Sequence, residues 1–456
     1  MRTTLRTAVA TAGVAATLAA VLATAPGIAA AQPEPAPAPT DASGAVVEVE
    51  IPGPEHGGLA GSGHRRVPAA SPHKSTALDS PAARAADGEV TRLVDNGRTA
   101  DRLDVVVVGD GYTAGELAKF HTDARAKWAE ITAVEPYTTY RNLFNVWAVD
   151  AVSKQSGVSG DPDATTRRDT ALGSYFWCDD IERLLCVDQK KVDSYVAKAP
   201  EADLVLVLAN STKYGGAGYN EPSATLGYEG IATASAGNDK SGQVAIHETG
   251  HSLGKLADEY FYPDYPGYEK YTGPEPADSN ISTLSAAELA RKRAKWYRWL
   301  GETSPDGGKV GAYEGGGYYV KGLNRPTDNS LMRVLDKPFN LPGVEQMIAG
   351  FFRHARIATA LTPTDRTLRT GKEARISVPK LVTADGRKLF IRWSLDGKQL
   401  PQFNGRTNVK VSELGLSAAD LRTHKLTVTV TDRTRAVRDP KIADTLKRTV
   451  AWKVRR

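Results

Sequence analysis

Three short apolar runs, separated by helix-like segments, constrain the fold of this chain more than any other feature. They cover residues 103–108, 144–152 and 203–208, and their length favours buried strands over helices. After the first run, Thr113 and Glu116 have the spacing of a capping box at the start of an amphipathic helix. Strands that alternate with helices predict an α+β fold whose mixed, mostly parallel sheet is covered by helices.

The 456-residue chain is long for a single domain, and its composition changes near residues 92 and 362. We expect a small or partly disordered N-terminal region at residues 45–91, with one strand over Val46–Ile51, and a main domain at residues 92–361. Further helices are predicted at residues 284–300 and 343–360. The alternating strand-like runs of residues 362–456, with a hairpin turn at Asp396-Gly397, predict an all-β sandwich of immunoglobulin-like type.

The start of the chain has the pattern of an exported protein. A pair of arginines precedes an uncharged run from Val9 to Leu22, and small residues end at Ala31. This pattern predicts a secretory signal peptide over residues 1–31, cleaved near Ala31, and therefore a secreted protein. Residues 32–44 are rich in proline and alanine, which predicts an extended linker. Because no later segment is apolar over about 20 residues, we expect no membrane span.

The cysteines agree with an exported protein, and the charge bears on its partners. Cys178 and Cys186 are the two cysteines of the chain, and a close pair in an exported protein predicts a disulfide. The net charge of +5 is small for this length, and no basic block is interleaved with aromatic residues. Nucleic acid is therefore not an expected partner.

The sequence His247-Glu248-x-x-His251 carries the chemistry. On a helix, two residues four positions apart lie on the same face, one turn from each other. Two imidazoles in this arrangement can hold one zinc ion, and Glu248 can act as general base toward water. The preceding apolar residues 244–246 would pack the helix inward. The pattern predicts one catalytic Zn²⁺ ion.

A catalytic zinc site needs a third protein ligand and an open position. Gly254 follows the second histidine by three residues, but Ala257 stands where the longer metzincin motif has its third ligand. Asp258 becomes a ligand if the chain turns at Gly254, where glycine tolerates a positive φ. Glu259 and the downstream Glu269 are the alternatives, and Asp258 and Glu259 could instead be a solvated pair in the turn.

Other segments combine with this motif into a family resemblance. They are Gly109–Thr113, Pro136-Tyr137, Phe144–Val146, Ser156-Gly157, His247–His251, Leu256–Tyr260, Asn329–Arg333 and Phe339-Asn340. Together they resemble the immunoglobulin A peptidase family of secreted bacterial zinc metallopeptidases, within the metzincin-like zincins. The resemblance covers most of residues 95–360, whereas residues 45–90 match the family's N-terminal domain poorly.

The resemblance implies a zincin-like catalytic domain with a defined set of site residues. It implies that zinc is held by His247, His251 and Asp258. It also implies that Glu248 is the base and that Met332 belongs to a Met-turn beneath the metal. Without the resemblance, Met332 would be interpreted as an ordinary core residue.

We therefore expect a secreted, monomeric zinc endopeptidase that acts on proteins or peptides. Tyr260 and Tyr319 are candidates to assist the oxyanion. Two other functions fit the same residues: a non-catalytic binding protein with structural zinc, and a zinc amidase acting on a non-peptide or cell-wall substrate. The family name does not by itself assign immunoglobulin as the substrate.

The apolar run at residues 204–208 leads into the glycine-rich residues 214–218. As an edge strand above the zinc, this run could bind an extended peptide by β-augmentation, because glycines allow close approach of the peptide backbone. The alternative is a flexible surface loop.

Overall fold

The computed structural model describes residues 45–53, 63–263 and 266–456. The signal peptide and the linker predicted for residues 1–44 lie outside the described residues. Across the described ranges, no helix is both long enough and apolar enough to cross a membrane.

A large mixed sheet of eight strands forms the centre of the α+β fold. Its strands are β1 (Val46–Ile51), β2 (Gly63–Pro68), β3 (Val90–Val94), β4 (Leu103–Asp110), β5 (Phe144–Val149), β6 (Leu204–Ala209), β7 (Gly216–Tyr219) and β8 (Ile231–Ser235). They lie in the order β2-β1-β7-β8-β6-β4-β5-β3. The pairs β5–β4, β4–β6 and β6–β8 are parallel, and the outer pairs are antiparallel.

The expectation of a mostly parallel sheet is therefore wrong outside the sheet's centre. Parallel neighbours need long crossovers, whereas a short connection reverses the chain and produces an antiparallel pair. The hairpin of β1 and β2, and β7 beside β8, add antiparallel strands on one side of the sheet. Antiparallel β3 ends the other side.

Strand β4 shows why the central runs are continuously apolar. All of its residues are buried. Val105 and Val107 face a core cluster that includes Phe120, and Val106 and Val108 face a second cluster on the opposite side. A strand covered on both faces needs apolar side chains at every position rather than at alternate ones.

Eight α-helices pack around these strands and the smaller sheets described below, within the described ranges. They are α1 (Pro81–Ala86), α2 (Leu117–Thr132), α3 (Tyr137–Tyr140), α4 (Gln189–Val196), α5 (Ser241–Ser252), α6 (Ala286–Lys292), α7 (Leu341–His354) and α8 (Pro440–Thr445). The predicted capping box of Thr113 and Glu116 is present, and it begins a 3₁₀ turn that leads into α2. The predicted pair Cys178 and Cys186 forms a disulfide.

The single helix predicted over residues 284–300 is wrong, because α6 ends at Lys292. Arg293 takes a left-handed conformation with φ 52°, which ends an α-helix. A separate 3₁₀ turn follows at Tyr297–Trp299. The helix predicted over residues 343–360 is present as α7 but stops earlier, before a short strand.

Smaller antiparallel sheets complete the fold. They contain the hairpin β9 (Tyr313–Gly316) and β10 (Tyr319–Arg325), a sheet of β11 (Thr359–Ala360), β12 (Glu373–Ser377) and β15 (Asn408–Lys410), and a sheet of β13 (Phe390–Leu395), β14 (Lys398–Gln399), β16 (His424–Thr431) and β17 (Lys447–Val454). The predicted hairpin turn at Asp396-Gly397 joins β13 to β14. The C-terminal part also contains helix α8, so it is not entirely β.

The core continues from the main region into the C-terminal sheets. One cluster of buried side chains contains Phe351 of α7 together with Trp393 of β13 and Trp452 of β17. In addition, the buried phenol of Tyr140 donates to Asp432 at 2.5 Å. A separate domain over residues 362–456, and its immunoglobulin-like type, therefore stay predictions.

Candidate metal centre

Helix α5 positions both histidines of the motif. His247 and His251 lie one turn apart, and their Nε2 atoms are separated by 3.1 Å. The residues that precede them, Val244, Ala245 and Ile246, are buried, and the helix packs against β7 and β8. The apolar side of α5 therefore fixes the direction in which the imidazoles point.

Backbone carbonyls orient the two rings. Nδ1 of His247 lies 3.0 Å from the Leu331 carbonyl oxygen, and Nδ1 of His251 lies 2.6 Å from that of Leu256. Because a carbonyl only accepts, each Nδ1–H is the donor, so Nε2 is the nitrogen left to bind a metal ion or a second proton. The two Nε2 atoms lie side by side, 3.1 Å apart.

The chain reverses after α5 and brings Asp258 back to the histidines. Lys255 adopts a left-handed φ of 50°, and the Leu256 N–H donates to the Gly250 carbonyl at 3.1 Å. Asp258 Oδ1 consequently lies 3.1 Å from His247 Nε2 and 3.4 Å from His251 Nε2.

Gly254 contributes to this turn in a different way from the one predicted. The left-handed residue is Lys255, so a positive φ does not explain the glycine. A Cβ at Gly254 would lie 2.5 Å from the Gly250 carbonyl oxygen and 2.8 Å from Met347 Sδ. Glycine is therefore required by close packing at the end of α5.

Glu50 of β1 is a fourth member of the cluster that sequence reasoning missed. Its carboxylate oxygens lie 3.0 Å from His247 Nε2 and 2.8 Å from His251 Nε2, and its side chain is 1% exposed. Asn220 Nδ2 donates to it at 3.0 Å and Tyr260 Oη at 3.2 Å. In the sequence, Glu50 alternates with valines as a solvent-facing strand residue does, so no local signal marks it.

The four side chains fit a tetrahedral metal ion. One ligand atom from each of Glu50, His247, His251 and Asp258 lies within 4.8 Å of all the others. The nitrogen–oxygen separations are 2.8–3.4 Å, slightly shorter than or equal to the roughly 3.3–3.6 Å between ligands of a tetrahedral zinc ion with bonds of about 2.0–2.2 Å, so a small outward movement accommodates the ion. Two carboxylates and two neutral imidazoles also carry the charge that compensates a divalent cation.

Because the cluster is buried, its charged groups interact strongly and shift each other's pKa values. Burial alone would lower the pKa of His247, but hydrogen bonds to Asp258 and Glu50 raise it to about 10. Burial raises the pKa of Glu248 to about 8, and the nearby charge of Glu50 adds to this effect. The cluster therefore concentrates negative charge that favours a bound cation.

Glu248 lies beside the cluster on the same helix. Its carboxylate accepts from Asn220 Nδ2 at 3.4 Å, and within the described part of the chain its buried Oε1 has no hydrogen-bond partner. Gly218 of β7 makes room for it, because a Cβ there would overlap with Glu248 Oε2. Glu248 thus has an acceptor atom available for a proton.

Met332 lies beneath α5, against the part of the helix between His247 and His251. It is 1% exposed, and a Cβ at Gly250 would lie 2.5 Å from its sulfur. The preceding residue, Leu331, supplies the carbonyl that orients His247.

Residues 91–308 match the family described as IgA Peptidase M64. This segment belongs to the IgA peptidase M64 family. The family resemblance inferred from the sequence is therefore confirmed, and membership indicates a metallopeptidase, which is a hydrolase. No curated protein matches the chain.

The M64 segment contains most but not all of the cluster. His247, His251, Asp258 and the neighbouring Glu248 lie inside it, whereas Glu50 precedes it in the chain. The cluster therefore combines the M64 segment with the hairpin of β1 and β2.

The two alternative ligands, Glu259 and Glu269, make their contacts outside the cluster. Glu259 is buried and accepts from Ser330 Oγ at 2.6 Å and from the amides of Asn280 and Asn340 at 3.0 Å. Glu269 is exposed and accepts from the Gly267 N–H. Neither belongs to the cluster, and Glu259 instead ties the turn after α5 to the start of α7.

Three tyrosines lie near the centre, with different contacts. Tyr260 donates to Glu50, as described above, and Tyr318 donates to Asp258 Oδ2 at 2.6 Å. Tyr319 packs edge-on against two other tyrosines and lines the cavity beside the centre. Sequence reasoning selected Tyr260 and Tyr319, whereas Tyr318 is the tyrosine bonded to Asp258.

A cavity of about 430 Å³ opens beside the cluster. Its lining includes Glu48, Glu50 and His64 from the hairpin, and His251 and Asp258 from the M64 segment. The strand beside the centre is β7. Strand β6, which covers the run expected to be an edge, lies between β4 and β8 inside the sheet, so that expectation is wrong.

Proposed function

We propose that this chain is a secreted zinc metallopeptidase that cleaves peptide bonds within proteins. The observation that carries the proposal is the position of Asp258, whose carboxylate lies within 3.4 Å of both motif histidines in a peptidase-family segment. His247, His251 and Asp258 would hold the zinc ion, and Met332 would form the Met-turn beneath it. The disulfide supports an oxidising, extracellular location.

The residues divide the chemistry between them. Zinc, when bound, supplies a Lewis acid that polarises the scissile carbonyl. Glu248 takes the proton of the attacking water at its free Oε1 and passes it to the leaving nitrogen. Burial of the carboxylate raises its pKa to about 8. Less of the group is then in the carboxylate form that accepts the proton of water, but the protonated form is available to pass a proton to the leaving nitrogen.

A tyrosine phenol can stabilise charge that develops on the substrate oxygen. Burial, with the charges of Asp258 and Glu50, raises the pKa of Tyr260 well above its usual value, and similar causes act on Tyr318. Both phenols therefore keep their protons at neutral pH and can donate hydrogen bonds.

The proposal is tested by metal content and hydrolysis together. We expect one equivalent of zinc in the purified chain. Casein hydrolysis is measured with Glu50 intact and in Glu50→Ala, because Glu50 lies at the same cluster, and we expect at least one of the two forms to hydrolyse it. Immunoglobulin A is assayed beside casein because of the family's name. Glu248→Gln should keep the zinc and abolish hydrolysis on either background, while the exposed Glu201→Gln should change neither. Full hydrolysis by Glu248→Gln would refute the mechanism.

A further inference from the structure

The hairpin of β1 and β2 lies across the candidate metal centre. The two strands pair with each other over their whole length, from Val46↔Pro68 to Ile51↔Gly63. Strand β1 also adds to the sheet antiparallel to β7, through the pair Glu50↔Gly218. An extended peptide that bound beside the metal by β-augmentation would add to the same side of β7. The hairpin therefore stands where substrate would bind.

We propose that this hairpin is a built-in occupant of the substrate cleft, and that Glu50 closes the metal centre as a fourth protein ligand. A catalytic zinc ion keeps one coordination position open for water or substrate, whereas a zinc ion with four protein ligands is closed. With Glu50 beside His247, His251 and Asp258, all four positions are taken by protein. The arrangement is thus a latent form of the enzyme, and this inference rests on the proposed peptidase function.

The position of the Glu50 carboxylate supports closure directly. Asn220 Nδ2 donates to Glu50 at 3.0 Å and lies 3.4 Å from Glu248. Glu50 therefore lies between the metal ligands and the general base. A water molecule and a scissile carbonyl would have to occupy this space for hydrolysis to proceed, so they and Glu50 exclude each other.

Both strands of the hairpin contribute to the closed arrangement. His64 of β2 lies 3.8 Å from Glu50 and 3.1 Å from Glu48, and its Nε2 lies 3.1 Å from Tyr318 Oη. Tyr318 in turn donates to Asp258. A continuous set of polar contacts thus joins the hairpin to a metal ligand.

Apolar packing holds the hairpin in place. Val49, Ile51 and Val67 are at most 1% exposed and belong to the core cluster that also contains Ala217 and Tyr219 of β7. Removal of these side chains from that cluster would expose apolar surface to water. The closed form is therefore favoured at rest.

The same hairpin is joined to the sheet by a short pairing. One residue pair, Glu50↔Gly218, links β1 to β7 in the ladder, so the hairpin can leave without breaking the pairing of β7 with β8. Strand β7 would then be an edge, open to an antiparallel peptide. Opening exchanges one antiparallel neighbour for another and frees the metal position at the same time.

A direct test measures access to the metal without any turnover. The probe is the peptide hydroxamate Pro-Leu-Gly-NHOH, which needs an open metal position, and its binding to the zinc-loaded full chain is measured by calorimetry. The parent is Glu248→Gln, which lacks the proposed general base, so turnover is not needed for the measurement. Adding Glu50→Ala should tighten hydroxamate binding about tenfold or more, because a closed form that outnumbers the open form tenfold weakens apparent affinity by that factor.

Matched variants separate closure from general damage to the hairpin. Arg66→Ala removes an exposed side chain from the same hairpin that does not line the cavity, and it should leave hydroxamate binding unchanged. Glu50→Gln keeps the size of the side chain and should also tighten binding, since a neutral amide is a poor zinc ligand. Circular dichroism of each zinc-loaded variant verifies that the chain is folded.

The outcomes distinguish this inference from the proposed function. Tighter hydroxamate binding together with faster casein hydrolysis by Glu50→Ala supports both. Tighter binding without hydrolysis by any form supports closure and refutes the peptidase function. Equal hydroxamate binding with and without Glu50, in folded zinc-loaded chains, overturns closure whatever the casein assay shows.

Discussion

Met332 packs its sulfur directly against the backbone of Gly250, where a Cβ would approach to 2.5 Å. Because Gly250 lies between His247 and His251 on α5, this contact sets the distance of the helix from the segment below. The same segment supplies the Leu331 carbonyl that orients His247. The glycine of the motif is thus explained by packing rather than by backbone conformation.

Gly250→Ala should therefore destabilise the protein. Overpacking of a tight core contact costs about 1–3 kcal/mol, and denaturant unfolding measures the loss. Gly115→Ala is the matched control, because a Cβ at Gly115 has nothing within 4 Å, and that variant should be as stable as the parent. Equal stability of Gly250→Ala and Gly115→Ala would contradict the packing argument.

Tyr318→Phe should weaken zinc binding. The change removes the 2.6 Å hydrogen bond to Asp258 Oδ2, and loss of a partner that orients a metal ligand typically reduces affinity about 10–100-fold. Competition with a chromophoric chelator measures the dissociation constant. The adjacent Tyr319→Phe removes a phenol that makes no hydrogen bond to the cluster among the described residues. The zinc affinity of this variant should therefore match that of the parent. If both variants bind zinc equally well, the bond does not orient Asp258.

His354 at the end of α7 provides a pH-dependent contribution to stability. Its ring lies 2.7 Å from Asp203 and 2.9 Å from Glu229. Burial would lower its pKa, but these hydrogen bonds raise it from 6.5 to about 9. A group whose pKa is higher in the folded chain stabilises the fold fully at pH values below its unfolded pKa, which is 6.5 here. This stabilisation is lost as the pH rises through the pKa of the folded chain.

His354→Gln should consequently cost about 1–2 kcal/mol near pH 6, the scale of partly exposed charged hydrogen bonds. The difference from the parent should shrink as pH rises through about 9. Urea unfolding of both proteins across this range measures it. A difference that stays constant with pH would show that the ring contributes by packing alone.

Members of the metal centre that lie close to the motif in the sequence could be predicted, whereas a distant member could not. Asp258 could be predicted, because it follows His251 closely and a single turn brings it back. The left-handed conformation of Lys255 in this turn could not, because a positive φ is uncommon for a residue other than glycine and nothing in the local sequence indicates it. Glu50 precedes the motif by almost two hundred residues, and the alternation of β1 does not indicate which face the sheet buries.

The same distinction holds for the fold. The continuous apolar run of β4 and the capping box of Thr113 and Glu116 are local, and both predictions are confirmed. The position of β6 inside the sheet and the placement of β1 beside β7 depend on tertiary pairing. The helix predicted over residues 284–300 likewise did not anticipate that Arg293 would end α6.

Gly218→Ala tests whether the position of Glu248 is set by β7. A Cβ at Gly218 would overlap with Glu248 Oε2 and lie 2.9 Å from Asn220 Nδ2, so the carboxylate must move. The zinc ligands on α5 and Asp258 are not displaced, and zinc content should stay at the parent level. On the Glu50→Ala background, casein hydrolysis should fall about 10²–10⁴-fold, the usual contribution of a general base. Hydrolysis at the level of Glu50→Ala alone, with zinc bound, would mean that the base does not depend on the space that Gly218 leaves.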